Sequence, residues 1–272
     1  RDTKHHLMLR LIFFLFLVIG NMHCKNQKEK TEVNKSSTPV TVCGAQTSDA
    51  LWYKTEQVAP IFEGLGNLHY AITTNNPLIQ QYFDQGLKLS YAFNHAEAAR
   101  SFDYASRLDS SCAMCHWGFA YVLGPNYNAG MEPDNYERAF NAIQKAIKWS
   151  GQCTEKEKQL IMTLSTRYVK DPVENRSPLD SAYSAGMKKL HQLYPEDPEI
   201  AALYAESVMD LHPWDLWDKQ GQPKPWTPEI VSIVERLLKQ YPEHPGLHHF
   251  YIHAVEASFH PESGLVSARK FD

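Results

Sequence analysis

The sequence has no surplus of positive charge: 27 Lys and Arg against 31 Asp and Glu leave −4 over 272 residues. The basic residues are scattered, so the electrostatic footprint of a nucleic-acid-binding protein is missing and no nucleic-acid partner is expected. There is no Walker-type phosphate loop, no nucleophile elbow and no HExxH. Nucleotide-loop, serine-hydrolase and zincin chemistry therefore find no motif to stand on. Strand signals are few. Acidic pairs such as Asp103 and Asp109 read as ordinary solvated helix charges.

What is present is an ordinary globular balance, 43% hydrophobic and 21% charged, enough for one sizeable domain or one repeat array. Aromatics are plentiful at 12%, with six Trp and fourteen Tyr. Such rings pack helices, and in a groove they also hold ligands.

Residues 8–10 (MLR) and 11–19 (LIFFLFLVI) form a short basic and then apolar leader, too short for a comfortable membrane span and suited to a secretory signal. Cys24 follows at the distance of a lipidated lipoprotein cysteine, although His23 stands where a small residue is usual. The alternative is cleavage after Gly20. Either route carries the chain out of the cytoplasm, with a membrane partner if Cys24 is lipidated. Residues 25–41 are polar, lack aromatics and read as a disordered tether. Residues 42–77, with Pro60, Gly64, Gly66 and Pro77, show no sustained period and read as an irregular lead-in, with a short helix around 49–58.

Residues 80–109 then set the pattern. Gly86, Ala98, Phe102 and Ala105 place small residues where two helices approach, with Phe102 and Ala105 on the face of Ala98. Asn94-His95 sits where the helices meet. The four-then-three spacing recurs at Ala139, Ile143 and Ala146, at Gly186, Leu190 and Leu193, at Ile233, Leu237 and Gln240, and at Gly264, Ala268 and Phe271. Two units share a stop, Tyr194-Pro195-Glu196-Asp197-Pro198 and Tyr241-Pro242-Glu243-His244-Pro245. Between them residues 211–228 make an insert. The expected architecture is all-α: helix-turn-helix units of about 34 residues, stacked as a tetratricopeptide-repeat (TPR)-like α-solenoid over residues 78–272. The opening on Arg1 and the close on Asp272 inside an apparent helix predict further chain beyond this stretch.

The segments YAFNHAEAARSF, CAMCHWGFAYVLGPNYN, PWDLW and HHFYIHAVEAS resemble a group of bacterial TPR proteins with secretory or lipoprotein leaders. The resemblance covers the chain from about residue 65 onward. It implies an extracytoplasmic helical-repeat protein and brings no established reaction or catalytic residue.

Three constellations could carry chemistry. Cys112-Ala113-Met114-Cys115-His116 matches the c-type haem attachment pattern; the competing reading is a disulfide or two buried thiols within a packed helix. His249, His253 and Glu256 fall on one stripe of a helix expected over 246–259, with Phe250, Ala254 and Ala257 on the adjacent packing face. Two imidazoles at i and i+4 with a carboxylate one turn on could hold a divalent metal; the alternative is groove-lining or core histidines. The insert offers Trp214, Asp215, Trp217 and Trp226, either plugging a gap between helix pairs or lining a ligand groove, to which His95 would also contribute. The leading expectation is a scaffold that binds a peptide or protein partner in a concave groove, without a cofactor. A metal-dependent enzyme using the His/His/Glu stripe is the second, and a haem protein the third.

Overall fold

The computed structural model describes residues 52–55 and 57–271. The leader, the tether, Cys24 and Cys43 lie outside them. The described residues form ten α-helices and no strand. None of these helices is long and apolar enough to cross a membrane.

Among its described residues, the lead-in does without regular structure beyond a 3₁₀ turn at Trp52–Lys54. Its backbone polar groups need partners, and the first helix, α1 (Pro77–Tyr91), supplies them. Gln85 Oε1 accepts from the Phe62 amide at 2.8 Å, Asp84 Oδ1 from Tyr70 at 3.1 Å, and Gln80 Oε1 from Ile72 at 3.0 Å. Pro77 occupies the first turn, where its missing N–H costs nothing, and Asn76 caps it.

α1 pairs with α2 (His95–Leu108) through a turn that closes with two backbone bonds, Asn94 N to Leu89 O and Phe93 N to Ser90 O. This is the Schellman arrangement, and it puts Phe93 at φ 54°, a left-handed position that normally takes glycine. α3 (Ala113–Val122) lies against both. The fully buried Phe102 ring is clamped between Gly86 of α1 and Gly118 of α3; a Cβ on either would sit 2.7 or 2.4 Å from it. The two glycines are what let three helices close on one ring.

α4 (Asn135–Trp149) buries Ala139, Ile143 and Ala146, as their spacing predicts. α5 (Glu155–Ser165) opens on a capping box between Thr154 and Glu157. In α6 (Ser177–Leu193) the buried stripe is Tyr183, Met187 and Leu190, and in α8 (Thr227–Gln240) it is Ile230, Val234 and Leu237. Leu193 is 63% exposed and Gln240 is also exposed, so the four-three register expected in these two helices is displaced by one turn. Gly186 nonetheless touches the neighbouring helix closely, its Cβ direction ending 2.7 Å from Thr163. The last expected unit is a broken run: 3₁₀ at Pro261–Gly264, α10 (Leu265–Ala268) and 3₁₀ at Arg269–Phe271, with Ala268 and Phe271 exposed.

The two Pro-ended stops share one geometry, with Tyr194 at φ −127°, ψ 63° and Tyr241 at φ −123°, ψ 66°. They open α7 (Pro198–Leu211) and α9 (Pro245–Val255), capped by the side chains of Asp197 and His244. α7 is buried from Glu199 to Met209 on every side, the mark of a helix enclosed by its neighbours. Three acids on it reach three different hairpins. Tyr91, the last residue of α1, donates to Glu199 at 2.5 Å. Tyr121, near the end of α3, donates to Glu206. Arg167, just past α5, binds Asp210 at 2.7 Å and Asp180 at 3.0 Å. α9 packs on α7 and α8 and also meets α1.

Candidate functional site

α9 brings its histidines to the α1–α2 turn. His249 Nδ1 lies 2.5 Å from the carbonyl oxygen of Tyr91. His253, one turn on, places Nε2 3.1 Å from His249 Nε2 and Nδ1 2.8 Å from Glu256 Oε1. The expected orientation holds for the packing face as far as Ala254: Phe250 and Ala254 are buried, and both imidazoles are half-buried. Ala257 is exposed, because the helix ends at Val255 and not at the expected residue 259. Glu256 is the C-cap, and its carboxylate grips the Nδ1 side of His253, away from the facing Nε2 atoms. It is therefore not a third donor converging with the two imidazoles. Among the described residues no group of three His, Cys, Asp or Glu side chains is placed to hold one metal ion. Burial lowers the pKa of His249, opposed by its bond to Tyr91.

Aromatic rings enclose the pair. Phe93 lies 4.6 Å from His249 and 5.7 Å from His253, centroid to centroid. Tyr127, from the α3–α4 loop, lies 5.3 Å from His253, and Trp214, from the insert, lies 6.2 Å from it. Tyr127 and Trp214 stack at 5.1 Å. Burial, with the nearby Glu256 carboxylate, pushes the Tyr127 hydroxyl up to about 12. Phe93 and Trp214, at φ 54° and 58°, are the two non-glycine residues with positive φ among the described residues, and both stand against this histidine pair. Bulky side chains in that region are strained by about 1–2 kcal/mol each, and such outliers gather at functional sites.

The insert divides its tryptophans. Trp214 is 64% exposed. Trp217 donates to the Ala254 carbonyl at 2.8 Å and packs on the core, and Trp226 stacks flat on His212 at 3.6 Å while donating to the Asp215 carbonyl at 3.0 Å. Asp215 itself pairs with Lys224. Trp217 and Trp226 are thus plugs, and Trp214 alone of the three reaches the histidine pair. His95 does not line a groove. It is 3% exposed, bonded to the Val122 carbonyl at 3.2 Å, and burial lowers it to about 4.

Cys112 and Cys115 are joined as a disulfide at the start of α3, both buried, and His116 is held by the Ser110 carbonyl at 2.9 Å. Neither sulfur nor the imidazole is open to a haem in this state. Cys153 is a free, half-buried thiol. A pocket of about 850 Å³ is lined by Tyr91, Glu199, His244 and the lead-in. There His244 Nε2 stands 3.1 Å from Glu199 Oε1, off the line of a hydrogen bond.

Phe93, Tyr127 and the Tyr91 carbonyl were not foreseeable as site groups. Each comes from a turn or helix end, and the helix that joins them to the histidines starts more than 100 residues later. The class defined by the fold is an all-α protein of antiparallel helix pairs with an aromatic–imidazole cluster where its first turn meets α9. No protein-family model, curated protein or solved structure matches the chain.

Proposed function

We propose that this chain is an exported TPR-like repeat scaffold, held at a membrane through Cys24, that binds a peptide or protein partner at the Trp214 cluster. The observation that carries the reading is Trp214 itself. Trp214 is an exposed indole held at positive φ, stacked on Tyr127 and edged by His253, so its ring is a pre-ordered apolar surface that a partner could cover. Rigid aromatic anchors of this kind dominate binding energy at interfaces. The partner surface differs from the groove expected along the whole array, because α7 occupies the space among the hairpins. The contact is instead local, between the α1–α2 turn, the α3–α4 loop, the insert and α9. Export is supported by the leader and by the Cys112–Cys115 disulfide, a bond that persists in oxidising compartments.

A displayed random-peptide library panned on the purified protein tests this. Enriched peptides should lose at least about tenfold in affinity for Trp214→Ala, a hot-spot loss of over 1 kcal/mol, while the melting temperature holds. Enriched peptides that bind Trp214→Ala equally well refute the site. For the anchor, Cys24→Ser should release the protein from membranes into the soluble fraction; a soluble wild-type protein refutes the lipid anchor.

A further inference from the structure

The hydrogen bonds around His249 and His253 fix their protons. A backbone carbonyl only accepts, so His249 Nδ1 carries the hydrogen it gives to Tyr91. An ionised carboxylate only accepts, so His253 Nδ1 carries the hydrogen it gives to Glu256. A neutral imidazole has one N–H. With both rings neutral, both Nε2 atoms are bare, and they face each other at 3.1 Å. Two lone pairs at that distance repel unless a cation lies between or beside them.

We propose that His249 and His253 are the two protein ligands of a divalent late first-row metal ion such as Zn²⁺, Ni²⁺ or Cu²⁺, and that Glu256 and the Tyr91 carbonyl orient them. This inference goes beyond the partner-binding function and does not rest on it. The distance fits: two nitrogens each about 2.0–2.1 Å from one ion lie 3.1 Å apart when the angle at the ion is roughly 95–100°. The remote nitrogens fit too, since a ligating histidine almost always donates its other N–H to a carbonyl or carboxylate, and here one ring has each. Imidazole donors suit late first-row ions. A buried carbonyl and a half-exposed acid set the rings from opposite sides, and the strained Phe93 covers both rings. With two protein donors, the remaining coordination positions take water or an exogenous ligand. The alternative cation is a proton shared by the two rings. That proton would stay on Nε2 in the presence of Zn²⁺, which separates the two cases.

The test is the full chain with uniformly ¹⁵N-labelled histidine, titrated with Zn²⁺. One equivalent should move the Nε2 resonances of His249 and His253 together and leave both Nδ1–H signals in place. By calorimetry, His253→Ala should abolish the one-equivalent binding. Glu256→Gln should weaken it about 10–100-fold, as loss of an orienting partner does, and less than loss of a ligand. Unchanged Nε2 resonances at one equivalent overturn the proposal without any variant, and so without dependence on folding. So does wild-type Zn²⁺ affinity in a folded His249→Ala protein, which would place the ion on other histidines. An Nε2–H···Nε2 proton that survives Zn²⁺ would also overturn it, leaving a shared proton in its place. Peptide binding lost in Trp214→Ala with Zn²⁺ binding intact separates this site from the partner surface.

Discussion

Gly118→Ala probes the packing on which the first three helices depend. The added methyl carbon would lie 2.4 Å from Phe102 Cδ1 and 2.8 Å from Cγ. That is far inside van der Waals contact, and it meets the root of a rigid ring and not the tip of a flexible chain. Phe102 has nowhere to go: it is fully buried, Gly86 stands on its other edge, and Phe83 meets it edge-on at 5.4 Å. Overpacking of this kind costs about 1–3 kcal/mol, and the severity of the clash puts it near the upper figure. Alanine recovers about 1 kcal/mol over glycine in a helix interior. The net expectation is a loss of about 2 kcal/mol, or a fall in Tm of about 4–8 °C for a chain of this size. Urea unfolding followed by circular dichroism measures it, with the midpoint lowered and the slope unchanged. Phe102→Leu in the same background should relieve the clash, so that the double variant is less destabilised than the sum of the singles by about 0.5–3 kcal/mol. A Gly118→Ala protein as stable as wild type, or strict additivity with Phe102→Leu, would refute the clamp.

Two further outcomes follow from buried groups. Burial, with Asp210 beside it, raises Glu206 from 4.5 to about 8, and burial raises Asp210 to about 6. The folded state therefore keeps protons that the unfolded state releases, and stability falls as pH rises from about 4.5 to about 8. Glu206→Gln, which keeps an acceptor for Tyr121, should flatten that profile in urea midpoints read across this range; an identical slope would show that Glu206 is not the titrating group. Reducing Cys112–Cys115 opens a very short loop and should cost about 2 kcal/mol, with the oxidised intact mass lighter by two hydrogens. A covalently attached Soret-absorbing group on the purified protein would refute the disulfide reading.

The elements most legible in the sequence were those whose signals are local. Pro77, Asn94 and the repeated Tyr-Pro stops mark helix ends through their own backbone chemistry, and all of them stand at helix ends. In α4 the four-three triplet Ala139, Ile143 and Ala146 fell on the buried stripe, which runs on through Tyr136 and Ala142. The stripes in α6 and α8 were displaced by one turn because a four-three triplet can be placed at two heights on one helix face: Leu190 and Leu237 end the buried triplets and stand in the middle of the expected ones. Leu193 and Gln240 fall in the last turn, beyond the packed stretch. At the site, the i, i+4 pair on α9 was legible, since helical spacing alone puts His249 and His253 on one face. The role of Glu256 was not. The helix ends at Val255, and the side chain turns back onto His253 in place of running on along the stripe. Nor could spacing show that Tyr91, at the end of a helix early in the chain, would fix the tautomer of His249.

The enclosed position of α7 bears on how the molecule comes apart. Stacked repeats in which each unit touches only the next can fray from an end and melt piecemeal. Here Glu199, Glu206 and Asp210 tie one helix to the ends of α1 and α3 and to Arg167 after α5. None of these hairpins can open without stranding a buried acid, and α7 cannot leave without stranding all three. The helices are keyed by a single pin, so they should stand or fall as one cooperative unit, and the early hairpins must wait for the pin to be made before any of them is secure.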